Sequence, residues 1–157
     1  ETSLEETERA IAELEIVRDT LDADPDESLW TDAMSVLASA YSKRLLGYHS
    51  ANIEKSAALF EEISTHFGSL QAAIVASDFQ LAFRIAGYQS NFAMVLTQKL
   101  AGDYRKNLTR AKSLLEEVHE FFARTNRTDL VQMTKTNLTL VDSKLLSIGS
   151  GSEAEQW

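Results

Sequence analysis

The residues most suggestive of chemistry in this chain are Glu116-x-x-His119, a carboxylate and an imidazole one helical turn apart. That spacing lets both side chains reach one metal in a di-iron helical bundle, where a second Glu-x-x-His on another helix completes the site. The nearest counterpart is Glu62 with His66, spaced by four residues rather than three. One reading of the chain is therefore a helical-bundle metal protein or enzyme using Glu62, His66, Glu116 and His119. Nucleophilic catalysis has less to stand on. The chain holds three His and no Cys, and it has no Gly-x-Ser-x-Gly elbow to pair a serine with a base. No glycine-rich phosphate loop occurs. Asn107-Leu-Thr109, Asn126-Arg-Thr128 and Asn137-Leu-Thr139 match glycosylation sequons but read as accidental, two of them falling within helical patterns.

Any such residue must be positioned by helices. The 157 residues include one Pro and six Gly, and 44% are hydrophobic, a composition suited to a folded helical chain and ill suited to a turn-rich sandwich. No run approaches the roughly 18 apolar residues of a membrane span. No disulfide or thiolate metal site is possible. Net charge is −9, with a strong asymmetry: residues 1–32 hold 12 acidic groups against Arg9 and Arg18. The richest basic stretch is Lys99, Arg105, Lys106, Arg110 and Lys112. Excess negative charge argues against nucleic acid or an anionic membrane as partner, since phosphates need clustered Lys and Arg.

Punctuation marks the helices. Ser3 with Glu6 forms a capping box for a first helix to Leu21, and Asp24-Pro25-Asp26-Glu27 opens a second that runs to Leu46 and stops at Gly47. Asn52 is expected to cap a third, striped by Ile53, Leu59, Phe60, Ile63 and Phe67 and ended by Gly68. The pattern stays helical from Leu70 to Ala101, with Gly87 the expected weak point. Asn107 is expected to cap the next helix, and Asp129 with Gln132 the last, ending at Gly149. Trp30 reads as packing. Residues 150–157, ending in Trp157, read either as a tail or as the start of a further repeat helix. The segment is expected to belong to a longer chain.

A shift of 55 exposes an internal repeat. Gly47 falls on Gly102, Asn52 on Asn107, Leu59 on Leu114, Glu61-Glu62-Ile63 on Glu116-Glu117-Val118, and Phe67 on Phe122. Upstream, Ser35 falls on Ser90, Ala38 on Ala93 and Leu45 on Leu100. Leu37, Ser42 and Lys43 recur at a shift of 101 as Leu138, Ser143 and Lys144. Under the shift of 55, His119 falls on Ser64, which breaks the symmetry a paired metal site needs.

Met34-x-x-Leu37-Ala38-x-x-Tyr41 resembles helix A of a tetratricopeptide repeat, Gly102-Asp103-Tyr104 its turn, and Ala111-x-x-x-Leu115 its helix B. The units exceed 34 residues, and the Leu-x-Gly turn followed by Asn52-Ile-Glu-Lys55 is similar to repeats that accompany caspase-like CHAT proteases. The resemblance implies an all-α fold, a right-handed stack of antiparallel helical hairpins of about six to seven helices over residues 1–149. It also implies that helix A lines a concave groove. Its positions there are Asp32, Ser35, Ser39, Ser42 and Lys43; then Ser90, Asn91, Met94, Thr97 and Gln98; then Met133, Thr136, Asn137, Ser143 and Lys144.

These are mostly hydroxyl and amide groups that both donate and accept hydrogen bonds, suited to a peptide backbone. The competing explanation is that Ser and Thr serve helix packing or solvation, and Asn91 and Asn137 a structural bond. The expectation is a non-catalytic interaction module in the cytoplasm, binding a protein or peptide as a sensor or scaffold segment of a larger protein, with no cofactor. Opposite charge at the two ends of the stack favours weak head-to-tail self-association.

Overall fold

The computed structural model describes residues 3–21 and 27–151, and among them every regular element is a helix. The chain divides into two compact units, Glu1–Gly68 and Ser69–Trp157.

The first unit holds α1 (Ser3–Leu21), α2 (Glu27–Lys43) and α3 (His49–Phe67). α2 lies between its neighbours and runs antiparallel to both. Arg44, just past its C-terminal end, forks onto the Glu8 carboxylate near the start of α1 at 2.7 Å. The Ser56 hydroxyl of α3 donates to the Ala38 carbonyl at 2.6 Å. Trp30, near the start of α2, is buried with its ring centroid 4.8 Å from that of His66 at the end of α3. The core is built from Met34, Leu37, Ala38 and Tyr41 of α2 against Ile53, Phe60 and Ile63 of α3. Tyr41 is 2% exposed, and its hydroxyl donates to the Glu15 carboxylate of α1. Lys55 reaches the same carboxylate at 3.2 Å and lies over the Tyr41 ring.

The second unit holds α4 (Leu70–Val75), α5 (Phe79–Leu96), α6 (Tyr104–Ala123) and α7 (Thr128–Gly151). Phe83, early in α5, packs against Phe121 and Phe122 at the end of α6, while Arg110 sits over Phe92, so this pair is antiparallel. α7 runs back along α6: Lys112 Nζ reaches Asp142 at 2.7 Å, and His119 Nδ1 stands 3.1 Å from the Thr134 hydroxyl.

Helix punctuation differs from expectation at several points. The helix expected over residues 70–101 breaks at 76–78, not at Gly87: Ser77 takes φ 56°, and the Asp78 carboxylate caps α5 by accepting from the Leu81 amide. Gly87 sits inside an uninterrupted helix. α2 ends at Lys43 rather than Leu46, before Gly47 turns the chain at φ 80°. Neither Asn52 nor Asn107 is an N-cap. α3 starts after Tyr48, which makes no side-chain cap bond, and α6 starts after Asp103, whose carboxylate accepts from the Lys106 amide. α7 continues through Gly149 to Gly151. The Asp24-Pro25 start signal and Trp157 lie outside the described residues.

What Asn52 and Asn107 do instead shows that α2–α3 and α5–α6 are two copies of one hairpin. The Asn52 carboxamide, four residues into α3, donates back to the carbonyls of Leu46 and Arg44 at 2.8 and 3.4 Å. Asn107 donates to Ala101 and Lys99 at 3.1 and 2.9 Å, and each of these residues is 55 positions after its counterpart. The register extends to the helix ends. The Arg44 amide donates to the Tyr41 carbonyl as that of Lys99 does to Leu96. The Ser42 hydroxyl donates to Ser39 as that of Thr97 does to Met94. Gly47 and Gly102 take φ 80° and 78°, a backbone state that L side chains reach only with strain.

Candidate functional site

Residues four, seven and eleven apart share one face of a helix. α5 leaves one such face open, and the matching repeat positions of α2 and α7 are also exposed or half-buried, α7 being exposed over much of the rest of its surface as well. On α2 these positions hold Asp32, Val36, Ser39 and Lys43; on α5, Gly87, Asn91, Met94 and Gln98; on α7, Met133, Asn137, Leu140 and Lys144. All twelve are exposed or half-buried. Elsewhere along its middle, from Ile85 to Leu96, α5 is buried, so its open face is a narrow uncharged stripe. The stripes of α2 and α7 add a Lys each, and α2 adds an Asp.

Of the residues expected on the groove, Ser39, Lys43, Asn91, Met94, Gln98, Asn137 and Lys144 lie on these stripes, as do Asp32 and Met133. Ser35, Ser90 and Thr136 share one repeat position on the flank of each stripe. Ser35 is half-buried and Ser90 is buried, while Thr136 is exposed with its hydroxyl bonded to Gln132. Ser42 and Thr97 turn their hydroxyls onto carbonyls of their own helices, and Thr97 is buried. Ser143 is exposed. Val36, Gly87 and Leu140 belong to the stripes but do not stand out as polar groups in the sequence; following the repeat register face by face would have found them.

Two features of α5 stand apart. The hydroxyls of Tyr88 and Ser90 and the Gln89 side-chain oxygen are buried and have no hydrogen-bond partner among the described residues. Burial also holds the Tyr88 phenol un-ionised, pushing its pKa up to about 12.

The residues of the metal reading do not come together. Glu62 and His66 are exposed in the first unit, with His66 against the Trp30 and Phe67 rings. Glu116 and His119 are in the second, where the His119 ring nitrogen is hydrogen-bonded to Thr134. Among the described residues no group of three His, Cys, Asp or Glu is placed to hold a metal ion. A pocket of about 250 Å³ opens between α4 and α6, with Leu70, Ile74 and Phe121 inside and Glu117, Glu120 and Arg124 at its edge. Arg124 pairs with Glu120, so this charge is largely satisfied, and the volume suits one side chain rather than a cofactor.

Part of the charge asymmetry is also taken up within each unit. Arg44 holds Glu8 below the usual carboxylate range, and Tyr41 with Lys55 does the same to Glu15. Lys112, in the basic stretch, is paired with Asp142. Among the described residues, no helix is long and apolar enough to cross a membrane. Comparison with protein-family models, with curated proteins and with solved structures finds no match.

Proposed function

We propose that this chain is a non-catalytic, tetratricopeptide-like interaction module, a scaffold or sensor segment in which the open face of α2 in the first unit and, separately, those of α5 and α7 in the second each bind a peptide or the extended edge of a partner domain. The observation that carries the reading is the narrow uncharged stripe left open on the otherwise buried middle of α5, with the matching repeat positions of α2 and α7 also exposed or half-buried. Packing explains why buried positions recur. It does not explain an exposed Asn at 91 repeated as a half-buried Asn at 137. Carboxamides and hydroxyls match the alternating donors and acceptors of a peptide backbone, while Val36, Met94 and Leu140 supply apolar contact for its side chains. Hairpins of this kind bury their stripes by stacking, so the module is expected to work as an array.

The test is to screen random twelve-residue peptides against the whole chain and to map a selected binder by amide chemical shifts. The reading expects perturbations centred on Asn91, Met94 and Asn137 of the second unit. Perturbations clustered on the outer residues of α3 and α6, such as Glu61 and Glu116, would contradict it.

A further inference from the structure

Each unit contains one helix that plays a repeat role without the neighbour that role has elsewhere. In the second unit α6 is flanked by α5 and by α7. α1 stands to α2 as α6 stands to α7. Carrying the Lys112–Asp142 contact back by 101 positions puts Ile11 beside Tyr41, and there Glu8 and Glu15, on the same face of α1, accept from Arg44 and Tyr41. Among the described residues of its unit, α1 has no helix in the place of α5. The difference shows in burial. Leu108, Ala111, Leu115 and Val118 of α6 are fully buried, whereas their counterparts Thr7, Ala10 and Leu14 are half-buried and Val17 is 38% exposed.

α7 has the converse deficit. Its counterpart α2 lies between α1 and α3, but α7 has no helix in the place of α3 among the described residues of its unit. Trp30, Met34, Leu37 and Ala38, which α2 sets against α3, are all buried. At the same positions α7 carries Val131, Lys135, Leu138 and Thr139, every one exposed or half-buried.

We propose that these two faces fit one another between molecules: α7 of one copy takes α1 of a second copy into the place that α3 holds beside α2. The hairpin itself supplies the register. The Ser56 hydroxyl donates to the Ala38 carbonyl, and the equivalent positions are Ala10 and Thr139. Small side chains there permit close approach, with Leu14 and Val17 against Leu138 and Val131. Charge selects the occupant. Glu13 flanks the α1 face, and its pairing with Arg9, at 3.9 Å between two exposed groups, holds it only weakly. In this register Glu13 comes opposite Lys135, while Asp129 and Asp142 of α7 are taken by Arg127 and Lys112. Two α7 faces, or two α1 faces, would set like charges together. Because the two faces differ, the contact is heterologous and adds copies head to tail. The inference does not depend on the peptide-binding reading, since the α7 residues it uses lie off the stripe of Met133, Asn137, Leu140 and Lys144.

Sedimentation velocity of the whole chain tests it. The sedimentation coefficient should rise with concentration, and less steeply in high salt. Lys135→Glu and Glu13→Lys should each weaken association by about tenfold, and the chain carrying both changes should regain it. Lys106→Glu, an exposed change on α6, should leave association as it is. The chain has no Cys, so Ala10→Cys and Thr139→Cys, mixed under oxidising conditions, should give a disulfide-linked dimer that neither variant forms alone. This second arm decides the matter even if a charge reversal lowers the melting temperature. A chain that stays monomeric at every concentration overturns the inference, as do charge reversals without effect or without rescue. A dimer formed by Ala10→Cys alone would make the contact symmetric, and a disulfide closing within one chain that carries both cysteines would make it internal; either result also overturns it.

Discussion

Asn52 and Asn107 stand 55 residues apart and clamp equivalent pairs of carbonyls, Arg44 and Leu46 in one hairpin, Lys99 and Ala101 in the other. Each amide closes a turn whose glycine has left-handed dihedrals, in the stretch between helices where backbone carbonyls would otherwise lack partners. The two hairpins are identical at only nine of the positions paired from 31 to 68, yet the clamp, the glycine and the turn bonds persist. The turn is thus the fixed part of the unit, and the helix faces are free to diverge.

Asn52→Ala and Asn107→Ala should each destabilise their own hairpin by about 1–3 kcal/mol, because each leaves two turn carbonyls without a donor. Urea unfolding followed by hydrogen exchange reads this hairpin by hairpin. Asn52→Ala should accelerate exchange in α2 and α3, and Asn107→Ala in α5 and α6. Loss below about 0.3 kcal/mol for both would show that the clamps are dispensable.

The Glu15 carboxylate is held below its ordinary 4.5 by the Tyr41 hydroxyl first and then by Lys55. A carboxyl whose folded pKa is depressed binds fewer protons folded than unfolded. Its stabilising effect is present above 4.5 and disappears as pH falls through the lowered value. The first unit should therefore lose stability on acidification below 4.5, and Glu15→Gln should reduce that acid slope while lowering stability at neutral pH. Thermal melts of both proteins between pH 7 and 3 check it; an unchanged slope would remove Glu15 from the account.

At the alkaline end the sign reverses. Burial raises the Tyr88 phenol from 10.0 to about 12, so between these values the unfolded chain loses its proton first. Stability falls as pH rises through that window. Tyr88→Phe removes this contribution together with an unpartnered buried hydroxyl. It should flatten the loss above pH 10 relative to wild type and raise neutral-pH stability by about 1 kcal/mol. A less stable Tyr88→Phe would mean that the hydroxyl has a partner, such as ordered water.

The helical class and the duplicated hairpin could be read from the sequence because Gly47, Gly102, Asn52 and Asn107 keep their identities in both copies. The cap assignments went astray for a physical reason. An asparagine serving forward amides and one reaching back to the carbonyls of the preceding turn look alike in a sequence. The break at 76–78 carries neither Gly nor Pro. It is made by Ser77 in a left-handed conformation and by the Asp78 cap, which a stretch of apolar helical spacing conceals. Leu45 and Leu46 extend the apolar pattern of α2 past Lys43, although both are exposed in the turn. On the faces, side-chain type alone did not separate Thr97, turned into its own helix, from Asn91, turned to solvent. Only the register does that.

The most direct test of the interaction reading is the affinity of a selected peptide for Asn91→Ala and Asn137→Ala, measured beside circular dichroism of each variant. Both side chains lie on open faces, so their removal should leave helicity and melting unchanged while each weakens binding by about 1–2 kcal/mol, the worth of a hydrogen bond within an interface. Wild-type affinity in both variants, or unfolding of both, would contradict the account: the first would mean that these faces bind nothing, the second that the two asparagines hold the fold.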